Sequence, residues 1–191
     1  MKIAALVGSK REDSYNHRIA LFMQERYRDQ LDIDIKDIAS LPHFDQDDEE
    51  NPPEVVQQFK KEIREADGIL IVTPEYNHSV PGMLKNALDW CSRVDKVMTG
   101  KPVLIAGASP GFLGTVRCQV HLRQILAAPG MAAKVLPGNE VFIGAVHQKM
   151  DDEGSITDTG TVEFLDMVVG NYVNFAELER KKEELAGNGN R

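Results

Sequence analysis

Short apolar runs alternate with helical patterns along the chain. A run that is apolar at every position is typical of a parallel strand covered on both faces, and a run that alternates apolar with charged residues is typical of a strand near a sheet edge. The strand candidates are the continuous runs at 3–7, 69–72 and 103–106, the alternating run at 33–38, and two short runs at 135–136 and 141–143.

Between these runs, apolar residues recur three and four positions apart, which indicates helices with one buried face. Pro81 lies where one helix can begin, because proline fits the first turn. The residues that mark the five predicted faces are Ile19, Phe22, Met23, Tyr27 and Leu31; Val55, Phe59, Ile63 and Ala66; Leu84, Leu88 and Cys91; Cys118, Leu122, Ile125 and Leu126; and Val162, Leu165, Val168, Val169, Tyr172 and Ala176.

The order strand then helix, repeated about five times, predicts an α/β fold. We expect a doubly wound, five-stranded parallel sheet with helices on both faces, which makes three layers. One domain accounts for residues 1–186, and residues 187–191 form a polar C-terminal tail. Ligands of such sheets bind beyond the carboxyl ends of the strands, so the loops after Val7, Val72 and Ala106 should meet at one site.

Charge and hydropathy narrow the range of partners. The chain of 191 residues carries a formal net charge of -8. Such a surface repels nucleic acids and anionic membranes, so we expect neither as a partner. No apolar stretch approaches the length of a membrane-spanning helix, and the apolar run at the N-terminus is too short for a signal peptide. An anionic small molecule stays compatible, because a local site can be positive on an acidic protein.

Two cysteines, Cys91 and Cys118, have neither metal-ligand nor redox spacing. We expect two free, partly buried thiols, which fits a reducing cytoplasm. The five histidines are scattered without a metal-binding pattern. The sequence therefore predicts a cytoplasmic protein without a bound metal.

The loop after the first strand reads G-S-K-R-E-D-S-Y-N and leads into a helix. Ser9, Ser14 and Asn16 can donate hydrogen bonds to phosphate oxygens, and Arg11 can add a charge-assisted one. The helix N-terminus also favours an anion there. A turn with Ser14 or Asn16 as the helix cap would explain these two residues, but it would not explain Ser9 or Arg11. The segment matches neither a G-x-G-x-x-G dinucleotide fingerprint nor the phosphate loop of an ATPase.

The loop after the third strand candidate reads T-P-E-Y-N-H-S-V-P-G. A loop at this place can lay backbone amides along the edge of a planar ring. Tyr76 can shield a ring face and Asn77 can bond its edge, although a turn that merely connects two elements also explains each residue. His78 fits a capping role equally well, and we assign it no proton transfer.

The loop after Ala106 contains A-S-P-G-F-L-G. Its glycines allow either close approach of a ligand or simple turn freedom. Ser109 is a candidate ligand contact. Arg117, one turn into the next helix, can face either the site or an acidic neighbour.

Three segments together, G-S-K-R-E-D-S-Y-N, T-P-E-Y-N-H-S-V-P-G-M-L-K-N-A-L-D-W and G-A-S-P-G-F-L-G-T-V-R, resemble the NAD(P)H-dependent FMN reductase family over about residues 2–145. That family includes bacterial quinone, chromate and azo reductases. The resemblance implies a flavodoxin-like fold, FMN as cofactor, and NADPH or NADH as co-substrate. The chain departs from the family at Thr115, where a second glycine is common.

The resemblance implies that the first loop holds the FMN phosphate, the second contacts the isoalloxazine ring and the third closes the other side. Tyr15, which follows Ser14 at the start of the helix, joins this set. The predicted cofactor-binding residues are Ser9, Arg11, Ser14, Tyr15, Asn16, Pro74, Glu75, Tyr76, Asn77, His78, Ser109 and Gly111.

The implied reaction takes hydride from NAD(P)H to N5 of FMN and passes electrons to a quinone, an azo compound, a flavin or a similar small acceptor in a ping-pong sequence. Because the cofactor carries this chemistry, no side chain is assigned a catalytic role. The alternative is a flavodoxin-type electron carrier without its own NAD(P)H turnover. Its phosphate loop is normally richer in Ser, Thr and Gly, and Arg11 fits that less well.

Met83 and Trp90 lie off the predicted core face of the helix that begins near Pro81. A large aromatic side chain outside the core suggests a partner surface. Together with the family resemblance, this predicts a homodimer or a tetramer built from dimers. The other interpretation is that Trp90 packs within its own subunit.

Overall fold

A computed structural model of the chain describes residues 1–188 and contains one parallel sheet in the order β2-β1-β3-β4-β5, with β6 also paired to β4. The strands are β1 (Lys2–Val7), β2 (Asp32–Lys36), β3 (Gly68–Val72), β4 (Pro102–Ala108), β5 (Lys134–Val135) and β6 (Val141–Ile143). The α-helices are α1 (Tyr15–Arg26), α2 (Glu54–Glu65), α3 (Gly82–Cys91), α4 (Val116–Ala127) and α5 (Thr159–Asn188). Short 3₁₀ turns lie at Gln46–Asp48 and Val146–Gln148.

Helices cover both faces of the sheet. Ala5 and Val7 of β1 pack with α1 and α5, whereas Ala4 and Leu6 pack with α2, α3 and α4. Successive side chains of a strand point to opposite faces, so a strand covered on both sides is apolar at every position. The three continuous apolar runs are accordingly the central strands β1, β3 and β4, and the predicted three-layer, doubly wound fold is confirmed.

The fifth position of the sheet holds two short strands, where one strand was expected. β5 pairs with the first residues of β4, and β6 pairs with its last three. Pro137 and Gly138 lie between them. Proline offers no N–H to the ladder, and Gly138 has a φ of 67°, so the backbone leaves the sheet between the two segments.

Trp90 is only 1% exposed, so the expectation that it marks a partner surface is wrong. Its indole N–H donates to the Pro42 carbonyl at 2.9 Å, and its ring meets Phe44 edge-on with centroids 5.0 Å apart. The loop at 42–44 thus covers this side of α3. Helical periodicity does not predict this contact, because the pattern depends only on residues within one helix.

Two details of the helices also differ from expectation. The buried face of α2 includes Val56 in place of Val55, which is 40% exposed, whereas Phe59, Ile63 and Ala66 are buried as predicted. Helix α5 extends through residue 188, which places the first two residues of the predicted polar tail inside the helix. Residues 189–191 of that tail lie outside the described residues. Among the described helices, none is both long and apolar enough to span a membrane.

Candidate functional site

The three loops that the sequence predicts to form the site follow β1, β3 and β4, and they leave the sheet side by side. The N–H of Gly8 donates to the Val72 carbonyl at 2.9 Å, and the N–H of Thr73 donates to the Ala106 carbonyl at 3.0 Å. The parallel ladder therefore continues to the last residues of β1, β3 and β4. Since these are adjacent strands, their carboxyl ends bring the three loops to one edge of the sheet, as predicted.

Hydroxyl groups line the first loop. Ser9 is nearly buried, and its Oγ accepts from the N–H of Arg11 at 3.3 Å. The same Oγ lies 3.3 Å from the Tyr76 hydroxyl, which joins the first loop to the second. Ser14 is buried as the N-cap of α1, where its Oγ accepts from the N–H of His17 at 3.3 Å. Ser14 thus has the capping role that the sequence left open.

Positive charge in the first loop is exposed. The Arg11 guanidinium donates to the carbonyl of Asp13 and lies 6.0 Å from the centre of the Tyr15 ring. The Asp13 carboxylate pairs with Arg18 at 3.4 Å. The Asp13 carboxylate is therefore engaged by a cation other than Arg11, and the exposed Arg11 charge can still reach an anion.

Asn16 connects α1 to the end of β4. Its side-chain Oδ1 accepts from the N–H of Ala108 at 2.9 Å, and its Nδ2 donates to the carbonyl of Ala108 at 3.0 Å. Asn16 is 3% exposed. The amide thus forms the pair of hydrogen bonds with the last residue of β4 that the backbone of a neighbouring strand would form. Both polar atoms of the Asn16 side chain are thus engaged by Ala108. The contact of Asn16 with a phosphate stays a prediction.

The second loop contains a tight two-residue turn. The backbones of Tyr76 and Ser79 exchange hydrogen bonds of 3.2 and 3.0 Å. Asn77 and His78 between them both have positive φ, at 50° and 60°. Two positive φ values match the type I′ hairpin turn, and asparagine and histidine adopt this region more readily than most residues. Tyr76 and Asn77 are exposed at the tip, where a ligand can reach them.

Glu75 points away from the turn tip and caps α4. Its Oε2 accepts from the backbone N–H of Cys118 at 3.0 Å, in the first turn of the helix, where N–H groups have no partner within the helix. Its other oxygen lies 3.9 Å from the Arg117 guanidinium, so Arg117 faces an acidic neighbour. Pro74 precedes it and accepts from the Thr73 hydroxyl at 2.9 Å. Any contact of Glu75 with a ring would thus come from its backbone atoms.

Cys118 lies beneath this cap with its thiol buried. Burial raises the pKa of the thiol to about 11, and the nearby Glu75 carboxylate adds to the effect. Burial also raises the pKa of Cys91 to about 12. Both thiols stay protonated near neutral pH and are poor nucleophiles. Within the described residues, no group of His, Cys, Asp and Glu side chains could hold a metal ion.

The third loop folds back on the turn before residue 146. Ser109 donates its N–H to the Ile143 carbonyl at 3.1 Å and its hydroxyl to the Gly111 carbonyl at 3.2 Å. A Cβ on Gly111 would meet only the Ser109 Oγ, at 3.6 Å, so Gly111 borders open space. Phe112 follows with 94% of its surface exposed. The third loop is thus well anchored at its base and open at its tip.

A cavity of about 720 Å³ opens beside the first loop and Tyr76. Its far wall, residues 38–43, follows β2 and was not nominated from the sequence. The rule that selected the other three loops also applies to this one, because β2 is adjacent to β1. Asn86 holds the wall in place, since its amide accepts from the Phe44 N–H at 2.7 Å and donates to the Pro42 carbonyl at 2.9 Å.

The cavity is basic although the protein is acidic. Lys10, Arg11 and His43 line it, and none of the described residues along its wall is acidic. The remaining lining is apolar or neutral: Gly8, Ser9, Ile38, Ala39, Leu41, Tyr76, Pro81, Gly82, Met83 and Asn86. A cavity with this lining suits a flat molecule that carries negative charge.

Comparison with known proteins gives a consistent picture. Residues 1–148 match the family model for NADPH-dependent FMN reductase. The chain is 41% identical to NADH-dependent flavin reductase subunit 2 of Lactobacillus johnsonii, over 95% of this chain and all of that one. It is 41% identical to the quinone reductase of Escherichia coli K12, over 93% of this chain and 95% of that one.

Solved structures agree with these relatives. FerB, a flavoenzyme NAD(P)H:(acceptor) oxidoreductase from Paracoccus denitrificans, superposes with a TM-score of 0.85 at 34% identity, over 93% of this chain and 98% of that one. A flavodoxin from Pseudomonas aeruginosa superposes with a TM-score of 0.54 at 15% identity, over 94% of this chain and 99% of that one, which indicates a shared fold alone.

The bridge between Asn16 and Ala108 should matter for stability. Asn16→Ala leaves the buried N–H of Ala108 without its partner, so we expect the free energy of unfolding to fall by about 1–3 kcal/mol. Urea unfolding measures this change. Asn51→Ala, at an exposed asparagine, should change it by less than about 0.5 kcal/mol. Equal stability of Asn16→Ala and the unaltered protein would contradict the assignment.

Proposed function

The chain belongs to the NADPH-dependent FMN reductase family, and from this premise we propose how its residues hold FMN, which acceptors it reduces and how it assembles. It is an NAD(P)H-dependent FMN oxidoreductase with a flavodoxin-like fold. FMN held by the first and second loops would supply the hydride and electron transfer between NAD(P)H and the acceptor. What this chain contributes is the binding, orientation and shielding of that cofactor.

The observation that carries the proposal is the contact between Ser9 and Tyr76, which joins the anion-binding loop to the exposed turn at 3.3 Å. FMN has a phosphate at one end and a planar ring at the other. In this proposal Ser9, Arg11 and the N-terminus of α1 would hold the phosphate, and the turn at 76–79 would contact the ring. The two binding surfaces are adjacent, so one FMN molecule can contact both.

The hydrogen-bond donors at the first loop suit a dianionic phosphate. The first turn of α1 presents backbone N–H groups that lack partners within the helix, and the helix dipole adds partial positive charge. The Arg11 guanidinium supplies a full charge next to them. Ser14 and Asn16 form the rigid base of this site, because their side chains already cap α1 and hold β4.

A quinone is the acceptor class that we propose. Relatives at 37–41% identity are named quinone reductases, and one is named 2-hydroxy-1,4-benzoquinone reductase. The cavity of about 720 Å³ beside Tyr76 has apolar walls for a flat ring, and Lys10 and His43, the basic lining residues that are not assigned to FMN, suit the phosphates of NAD(P)H. Since donor and acceptor both need the exposed face beside Tyr76, we propose that they bind in turn.

Assembly is a separate proposal. Trp90 no longer supports it, but other apolar side chains around the start of α4 are exposed: Phe112 at 94%, Leu113 at 58% and Val120 at 50%. Burying them against a second copy would remove apolar surface from water. We propose a homodimer or a tetramer built from dimers.

The cellular location is a further proposal. The two buried, unpaired thiols fit the reducing cytoplasm as the compartment in which this protein acts.

The phosphate site can be tested through Arg11. We expect Arg11→Ala to weaken FMN binding by about ten- to a hundredfold, because a charge-assisted hydrogen bond contributes about 1.5–3 kcal/mol. Riboflavin lacks the phosphate, so its weaker binding should hardly change. Titration of apoprotein with both ligands, followed by flavin fluorescence, measures the two dissociation constants. An equal loss for both ligands, or for neither, would show that the phosphate lies elsewhere.

Turnover separates a reductase from an electron carrier. The FMN-loaded protein alone should oxidise NADPH or NADH when a quinone is present, and double-reciprocal plots at several quinone concentrations should be parallel. The control is the same amount of free FMN without protein. No oxidation above that control would favour the flavodoxin-type carrier. Intersecting lines would show that both substrates bind together.

Solution mass tests assembly. Light scattering at micromolar concentration should give two or four times the mass of the chain, and Val120→Asp should shift the population towards the monomer, because it places a charge in the proposed interface. The matched control is Val55→Asp, at an exposed valine on α2. A monomeric mass for the unaltered protein would refute the proposal.

A further inference from the structure

His121 lies on α4, outside all three nominated loops, yet it contacts the turn of the second loop. Its Nδ1 is 2.9 Å from the Oγ of Ser79, and the two atoms share one hydrogen bond. Ser79 is the residue that closes the turn by exchanging backbone hydrogen bonds with Tyr76. A side chain from another element therefore holds the closing end of the turn.

Helix α4 also holds the opening end. The Glu75 carboxylate accepts from the N–H of Cys118, which is three residues before His121 and so on the same side of the helix. The turn is thus fixed to α4 immediately before Tyr76 and again at Ser79. Between Glu75 and Ser79 lie three residues, and two of them, Asn77 and His78, have positive φ.

A turn of this kind needs outside support. A type I′ turn normally has glycine at its second central position, and this chain has His78 there. Non-glycine residues in the left-handed region persist only where the surroundings hold them. The reciprocal bonds between Tyr76 and Ser79 are internal to the turn and leave its direction free. The contacts with α4 fix the direction of the whole turn.

We propose that His121 is a positioning residue: through Ser79 it holds the turn at 76–79 in the orientation that places Tyr76 and Asn77 against the FMN ring. This rests on the proposed function, in which that turn contacts the ring. His121 itself is exposed and does not line the cavity beside Tyr76. It acts on the cofactor only through the turn.

The test begins with His121→Ala in the full-length apoprotein. Loss of one side-chain hydrogen bond should weaken flavin binding about three- to tenfold. FMN and riboflavin should lose affinity alike, because the affected contacts are with the ring, which both ligands have. The visible circular dichroism of bound FMN should also change, because it reports the surroundings of the ring. The melting temperature of the apoprotein should stay the same, because His121 is exposed.

Two substitutions at the same position separate a hydrogen bond from bulk. Asparagine places a polar atom close to the position of Nδ1, whereas glutamine places it near Nε2. We therefore expect His121→Asn to restore most of the affinity and the circular dichroism, and His121→Gln to restore little. Gln124→Ala, at an exposed residue one turn along α4, is the control and should bind both flavins as the unaltered protein does.

Ser79→Ala supplies an independent arm, which also covers the case that His121→Ala folds poorly. It should reproduce the loss, and the double variant Ser79→Ala with His121→Ala should lose no more than either single variant. Unchanged flavin affinity in both single variants, additive losses in the double variant, or equal behaviour of the asparagine and glutamine variants would overturn the proposal. Failure of the unaltered protein to bind FMN would instead refute the proposed function.

Discussion

The two hydrogen bonds between the Asn16 amide and the backbone of Ala108 fix the geometry on which the site depends. They connect residues 92 positions apart and join the start of α1 to the end of β4. The first loop ends at the start of α1, where Asn16 lies, and the third loop begins after Ala108, so one side chain joins these two loops. The hydroxyl groups of Ser9 and Tyr76 join the second loop to the first. The site is therefore held by contacts between loops as well as by the sheet below.

Electrostatics explain how an acidic protein can bind an anionic cofactor. The net charge of -8 is spread over the surface, whereas the cavity beside the first loop is lined by Lys10, Arg11 and His43. The carboxylate of Asp13, whose carbonyl accepts from Arg11, is paired with Arg18. At short range these local charges and the N-terminus of α1 outweigh distant carboxylates, which water and salt screen.

The fold could be predicted in full outline, because a strand covered on both faces leaves an unambiguous apolar run, as at 69–72 and 103–106. The convergence of three loops followed from the same pattern. Details that depend on distant contacts could not be predicted. Trp90 was assigned to the surface because periodicity does not show that the loop at 42–44 covers it. The interruption of the fifth strand depends on Pro137 and Gly138, whose effect only pairing with β4 reveals.

Individual site residues were harder to interpret than the site as a whole. Residue type suggested that Asn16 contacts the cofactor, and the family resemblance suggested the same of Glu75, but their side chains hold β4 and cap α4. His121 gave no signal at all, since it lies in an ordinary helical stretch. These roles belong to residues that position the loops, and they depend on partners 40 or more positions away. A sequence motif shows which loop carries the chemistry and does not show what holds the loop.

The binding of FMN by this chain, on which the whole account depends, can be tested most directly on the purified protein. Its visible absorption spectrum is recorded, and the flavin released by heat is identified and counted. The account predicts a flavin spectrum and about one FMN per chain, either as purified or after incubation with FMN. A colourless protein that takes up no FMN on incubation would contradict it.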